Sequence, residues 1–308
     1  MEKPFQGLAT FLKSPVSHLP RPIGVLGIPF DGATSYRPGT RFAPNAIRQA
    51  SMMLTDGGHP TLGVDPCQFV TDLGDTVVSN VNVEKSLAQI VEDIGTITDE
   101  RERGEDERLL FIGGDHTVTT GILRAIAPRH PDLFVLHLDA HCDTWADHFG
   151  DPIGHGTWVR NVVEEGLVEP SSILQVGIRS PVDPATRDWL PDLGGKVISA
   201  RAVAKSDPCI ALAHVLNKVP KERPVYVSVD IDCLDPAYAP GTGTPEIAGL
   251  TPHFVLDLLE GLAGRTVIGA DLVEVNPMVD PSGITALAGA TVLWTLAGVM
   301  AIGLGDRL

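Results

Sequence analysis

Six short runs dominated by Val, Ile and Leu recur along the chain, at residues 23–30, 109–112, 133–138, 173–178, 225–229 and 266–273. They are short and nearly continuous in apolar residues, the pattern of parallel strands buried on both faces. Between them lie stretches long enough and suitably patterned for helices, at 44–54, 83–103, 117–127, 157–165, 210–218 and 252–262. Thr251-Pro252 gives the last of these an N-cap and a proline at the first helical position. Such alternation predicts a three-layer α/β/α sandwich around a mostly parallel sheet. The charge run over 99–108 reads as a solvated helix end and turn rather than a domain linker. One domain over 1–308 is expected, because the candidate ligands described below need one common sheet.

Residues 284–304 contain no charge and are long enough to span a bilayer. The stretch also carries Thr285, Thr291, Thr295 and several glycines, and no basic cluster flanks it. A buried C-terminal helix covering the sheet, or a subunit contact, is expected instead of a membrane span.

Charge narrows the function classes. With 39 acids against 23 bases the chain carries a formal charge of -16, whereas phosphate-backbone binding needs a basic footprint. A nucleic-acid partner is therefore not expected, and a small cationic substrate suits the field. The four cysteines, Cys67, Cys142, Cys209 and Cys233, are scattered, as in a reduced compartment. Residues 1–15 lack the apolar core of a secretory signal, so a cytoplasmic location is expected.

The chemistry-bearing residues sit where the apolar runs end. One run is followed by Asp139-Ala140-His141-Cys142-Asp143, another by Asp230-Ile231-Asp232, and a third by Gly113-Gly114-Asp115-His116. If the chain stays extended, Asp139, His141 and Asp143 leave on one side and Ala140 and Cys142 on the other. Ligands gather at the carboxyl ends of strands in open α/β sheets. Four carboxylates and two imidazoles collected there would repel unless cations joined them, and two divalent ions would neutralise four aspartates. Oxygen and nitrogen donors without thiolate favour Mn2+, with Zn2+, Ni2+, Co2+ or Fe2+ compatible. Cys142 and Cys233 read as core residues.

These three segments, together with 27–31, 37–44, His155-Gly156-Thr157, 239–246 and 271–277, resemble the motifs of the ureohydrolase family of arginases, agmatinases and guanidino-acid hydrolases. The resemblance runs in order along nearly the whole chain. It implies an arginase-like α/β sandwich and a trimer or hexamer. It also implies one manganese held by His116, Asp139, Asp143 and Asp230 and a second by Asp139, His141, Asp230 and Asp232, with Asp139 and Asp230 bridging. Asp143 would orient the nucleophile and relay its proton, His155 would shuttle a proton to the leaving amine, and Glu274 would grip the guanidinium.

The position where arginases place an asparagine for the α-amino acid carboxylate holds Trp145, which argues against arginine. Agmatine, giving putrescine and urea, is the expected substrate, with guanidinobutyrate or guanidinopropionate as the alternative. Loop 144–154, with Trp145 and His148, is expected to meet the substrate's tail, and Arg37 would suit either a carboxylate there or a structural salt bridge. A deacetylase-like amide hydrolase would need only one zinc, against the six ligands here. A non-catalytic subunit would have no need to keep every ligand together with His155 and Glu274.

Overall fold

A computed structural model describes residues 8–15, 21–101 and 108–304. Among these residues eight strands, β1 (Ile23–Gly27), β2 (Val70–Asp75), β3 (Arg108–Ile112), β4 (Phe134–Leu138), β5 (Ile173–Ile178), β6 (Lys196–Ser199), β7 (Val225–Asp230) and β8 (Val267–Val273), form one sheet ordered β2-β1-β3-β8-β7-β4-β5-β6. Every pairing in it is parallel. Among the described residues, eight α-helices lie between the strands and a ninth follows β8: α1 (Ala43–Ser51), α2 (Val83–Arg101), α3 (Val118–Ile126), α4 (Trp158–Glu164), α5 (Pro184–Asp192), α6 (Ala200–Lys205), α7 (Pro208–Leu216), α8 (Pro252–Glu260) and α9 (Ile284–Gly303).

The central strands are buried on both faces because they alternate between two apolar clusters. In β3, Leu110 and Ile112 join the side covered by α1, α7, α8 and α9, while Leu109 and Phe111 join the side covered by α2, α3, α4 and α5. This is the expected three-layer sandwich. Thr251 caps α8 by accepting from Phe254 N–H, as its sequence suggests.

The two edge strands, β2 and β6, and the helices α5 and α6 have no counterpart among the expected elements. Physical reasons are visible in each. β2 mixes Thr71, Asp72 and Asp75 into its run, β6 has four residues with Lys196 and Val197 exposed, α5 contains Pro191, and α6 is six residues long. The predicted 99–108 charge run lies largely outside the described residues.

The uncharged C-terminal segment is α9, and its length and hydropathy alone would allow a membrane crossing. In the fold it packs against α1, α8 and β8. Gly289 makes the approach possible, since a Cβ there would lie 2.6 Å from Leu272 Cδ2 of β8. Leu293, on the same helix, is fully buried. Leu293→Ala should cost about 2–5 kcal/mol of stability in urea unfolding while leaving metal stoichiometry unchanged; a shift below about 1 kcal/mol would show that α9 is not a core element.

Candidate metal centre and active site

β3 and β4 are consecutive in the chain, yet β8 and β7 lie between them in the sheet. Loops from neighbouring strand ends therefore part at this point, and a crevice opens where ligands collect. His116 follows β3, Asp139 to Asp143 follow β4, Asp230 and Asp232 close β7, and Glu274 follows β8. Four adjacent strands thus contribute to one site.

The ligands converge, though not by continued alternation along an extended strand. β4 stops at Leu138, and Asp139 to Asp143 form an irregular turn in which Asp143 has a left-handed backbone (φ 53°). A short polar side chain tolerates that conformation better than most. Ala140 and Cys142 still face the core, and Cys233 is fully buried, as expected.

Two groups of donor atoms result. In the first, His116 Nδ1 lies 3.1 Å from Asp139 Oδ2 and 3.2 Å from both Asp143 Oδ2 and Asp230 Oδ2. In the second, His141 Nδ1 lies 3.1 Å from Asp232 Oδ2 and 3.4 Å from Asp139 Oδ1. Asp139 thus offers one oxygen to each group, as a bridging ligand must. Asp230 presents Oδ2 to the first group, and its Oδ1 accepts Asp232 N–H at 2.7 Å.

The arrangement fits two cations. His116 Nδ1 and Asp232 Oδ2 are buried without hydrogen-bond partners, and an orphaned buried polar atom is costly unless something fills the role. Burial, then the charges of Asp232 and Asp139, push the Asp230 carboxyl well above its usual range. Burial alone would lower the His116 and His141 imidazoles, but surrounding aspartates hold both well above it. Each direction signals a demand for positive charge at these atoms.

Neighbours that sequence inspection passed over hold these ligands in place. His137 Nε2 sits 2.7 Å from Asp139 Oδ2, and its Nδ1 is 3.1 Å from Gln175 Nε2. Because the amide nitrogen donates, Nδ1 accepts and Nε2–H points at Asp139. His137 also falls within a metal-sized cluster with His116, Asp139 and Asp143, but that proton makes it a support for a ligand. Trp158 Nε1–H donates to Asp143 Oδ2 at 2.7 Å, and its ring stacks on His116.

Above the metal-facing atoms lies a cleft of about 180 Å3 lined by His116, His141, Asp143 and Asp230 below, and by Ser35, Trp145, His148, His155, Gly156, Ser180 and Thr244 around its wall. Trp145 and His148 thus both line the cleft. Arg37 does not line the cleft: its Nε–H donates to Gly243 O at 3.0 Å and its guanidinium rests over the Tyr36 ring.

His155 bridges wall and scaffold. Its Nδ1 is 2.9 Å from Glu274 Oε1, while Nε2 is 2.7 Å from Ser35 Oγ and accepts from Ser35 N–H at 3.1 Å. Burial would lower its pKa, but Glu274, then Asp115 and Asp143, outweigh it and raise the ring to about 9. The neutral ring keeps its proton on Nδ1 and accepts both Ser35 donors. The imidazolium keeps Glu274 and Ser35 Oγ as acceptors and gives up Ser35 N–H. One proton thus separates two arrangements that both hold the ring.

Glu274 lies behind that wall. Its Oε1 also accepts His116 N–H at 2.9 Å, and its Oε2 is buried with no partner. A positive φ of 62° is strained for a residue of this size and persists where surrounding structure enforces it. The neighbouring turn is equally tight, since a Cβ on Gly114 would fall 1.6 Å from Phe30 O.

The arginase family model matches residues 21–298. The chain is 40% identical to the human mitochondrial guanidino acid hydrolase over 298 residues, which covers 94% of this chain and 82% of that one. It is 39% identical to the mitochondrial agmatinase of Gallus gallus over 299 residues, covering 96% and 86%. Among solved structures, the proclavaminate amidino hydrolase of Streptomyces clavuligerus matches with a TM-score of 0.86 at 34% identity, covering 97% of this chain and 99% of that one.

The split of Asp139 between the two donor groups makes a specific prediction. Elemental analysis of Asp139→Ala should find neither ion retained, whereas Asp232→Ala should keep the ion beside His116 and lose the other. Equal losses in the two variants would refute the division of donors.

Proposed function

The chain belongs to the arginase family, and from that premise we propose that it is a binuclear-metal amidinohydrolase that cleaves the guanidino C–N bond of agmatine, releasing urea and putrescine. His116, Asp139, Asp143 and Asp230 would hold one divalent ion, and Asp139, His141, Asp230 and Asp232 the other. Oxygen and nitrogen donors make manganese our choice. When bound, such a pair lowers the pKa of a water so that hydroxide is available at neutral pH.

The protein's own groups do the rest. Trp158 fixes Asp143 so that its carboxylate can orient the attacking oxygen and take up its proton. Glu274 Oε2 lacks the donor that a guanidinium N–H provides, and carboxylate–guanidinium pairing is strong and directional. His155 hands a proton to the leaving nitrogen, a role suited to an imidazole held from both sides.

The tail preference rests on one observation: among the described residues lining the cleft there is no Lys or Arg. A carboxylate tail would lack a fixed cationic partner. An ammonium tail would meet the Glu246 carboxylate, whose Oε1 accepts from the cleft-lining Ser180 hydroxyl at 2.9 Å and lies 3.9 Å from His141 Nε2, while Trp145 offers an apolar surface to the methylenes. A second reading, guanidinobutyrate or guanidinopropionate, is favoured by His148, whose Nδ1 is buried without a partner and could donate to a carboxylate. The guanidino acid hydrolase and agmatinase relatives, at 40% and 39% identity, do not separate the two.

Urea release from agmatine, guanidinobutyrate, guanidinopropionate, arginine and guanidine is the test. The manganese-loaded protein should give its highest kcat/KM with agmatine; preference for a guanidino acid would overturn the tail assignment, and no urea from any would overturn the hydrolase. His155→Ala should keep both ions and lose about 10²–10⁴-fold in kcat. Since the ring's pKa is raised to about 9 and nearby dications can only lower it, kcat of the unaltered protein should fall as pH rises past a point at or below that value. That alkaline limb should be missing from His155→Ala.

A further inference from the structure

Asp271 lies on β8, three residues before Glu274, and is fully buried. Three hydroxyls converge on it: Ser228 Oγ at 2.7 Å from Oδ1, and Tyr226 OH at 2.6 Å and Thr119 Oγ at 2.9 Å from Oδ2. A carboxylate can only accept, so each hydroxyl commits its single proton to Asp271. All three donors are neutral. Burying a charge on neutral donors alone is costly, which raises the question of what that negative charge serves.

Ser228 supplies the answer. With its proton given to Asp271, its oxygen can only accept from the His116 Nε2 that lies 2.8 Å away. His116 therefore carries its proton on Nε2. Its Nδ1 lone pair then faces Asp139, Asp143 and Asp230 at 3.1–3.2 Å, the tautomer that a metal ligand needs. Sheet register builds the relay, because Ser228 stands directly opposite Asp271 in the β7–β8 pairing.

We propose that Asp271 is a positioning residue of the metal centre: acting through Ser228, it fixes the His116 tautomer and places negative charge behind the ring, setting the affinity of the ion that His116 faces. The proposal rests on the binuclear centre and is independent of the substrate. The competing explanation is a hydroxyl clamp that merely ties β7 and α3 to β8.

Equilibrium dialysis of the full-length protein against graded Mn2+, followed by elemental analysis, separates these. Asp271→Asn removes the charge and frees Ser228 to turn its proton toward His116. One ion per chain should then bind about 10–100-fold more weakly, with the second unaffected. Ser228→Ala, which breaks the link and keeps the carboxylate, should weaken the same ion and carries the test if Asp271→Asn does not fold. Tyr226→Phe removes an equally short bond to Asp271 outside the relay, and should lower Tm with no change in metal affinity. Unaltered binding of both ions by Asp271→Asn, or by Ser228→Ala, would overturn the proposal. So would an equal loss in Tyr226→Phe. Because no substrate enters the measurement, a protein that releases no urea yet loses one ion in Asp271→Asn would contradict the proposed activity and leave this inference standing.

Discussion

Four buried aspartates, Asp139, Asp143, Asp230 and Asp232, face one another across two imidazoles, and much of the architecture around the site follows from that concentration of charge. Like charges in a low-dielectric interior cannot all ionise without cations between them. The fold brings them together at the switch point between β3 and β4, where β8 and β7 intervene. A second layer of donors then fixes each ligand. His137 points a proton at Asp139, Trp158 at Asp143, and the Asp232 and Ala140 amides at Asp230 and Asp232. Left-handed backbone at Asp143 and Glu274 shows where geometry takes precedence over local comfort.

His155 and Glu274 illustrate how the metal centre and the wall of the cleft share parts. Glu274 Oε1 receives both the His116 amide and the His155 ring, leaving Oε2 without a hydrogen-bond partner. Ser35, from the loop after β1, completes the support of His155, and that loop is in turn pinned by Asp115 accepting from Ala33 N–H. His116, Glu274, His155 and Ser35 therefore lie within one connected set of hydrogen bonds. The rest of the cleft wall, by contrast, carries the hydroxyls of Ser180 and Thr244 with Trp145 and His148.

The six candidate metal ligands were legible in the sequence because unusual residue types cluster at the ends of apolar runs. Their supporting partners were not, for a physical reason. His137, Ser228 and Asp271 lie side by side across β4, β7 and β8, and such adjacency depends on a strand order that places β7 and β8 between β3 and β4. Within one strand His137 and Ser228 are simply polar interruptions. The central strands were readable from their continuous apolar runs. The edge strands β2 and β6, polar or short and partly solvated, were not. The partner of Arg37 was not legible either, because the Gly243 carbonyl that its Nε–H meets lies more than two hundred residues away in the chain.

The central claim is that these donors hold two ions, one before His116 Nδ1 and one before His141 Nδ1. A crystal of the manganese-loaded protein, measured on both sides of the manganese absorption edge, tests it most directly. Two anomalous peaks about 3.5–4 Å apart, each within bonding distance of one of those nitrogens and both touching Asp139, are predicted. A single peak, or a pair that leaves Asp139 bound to only one ion, would contradict the account.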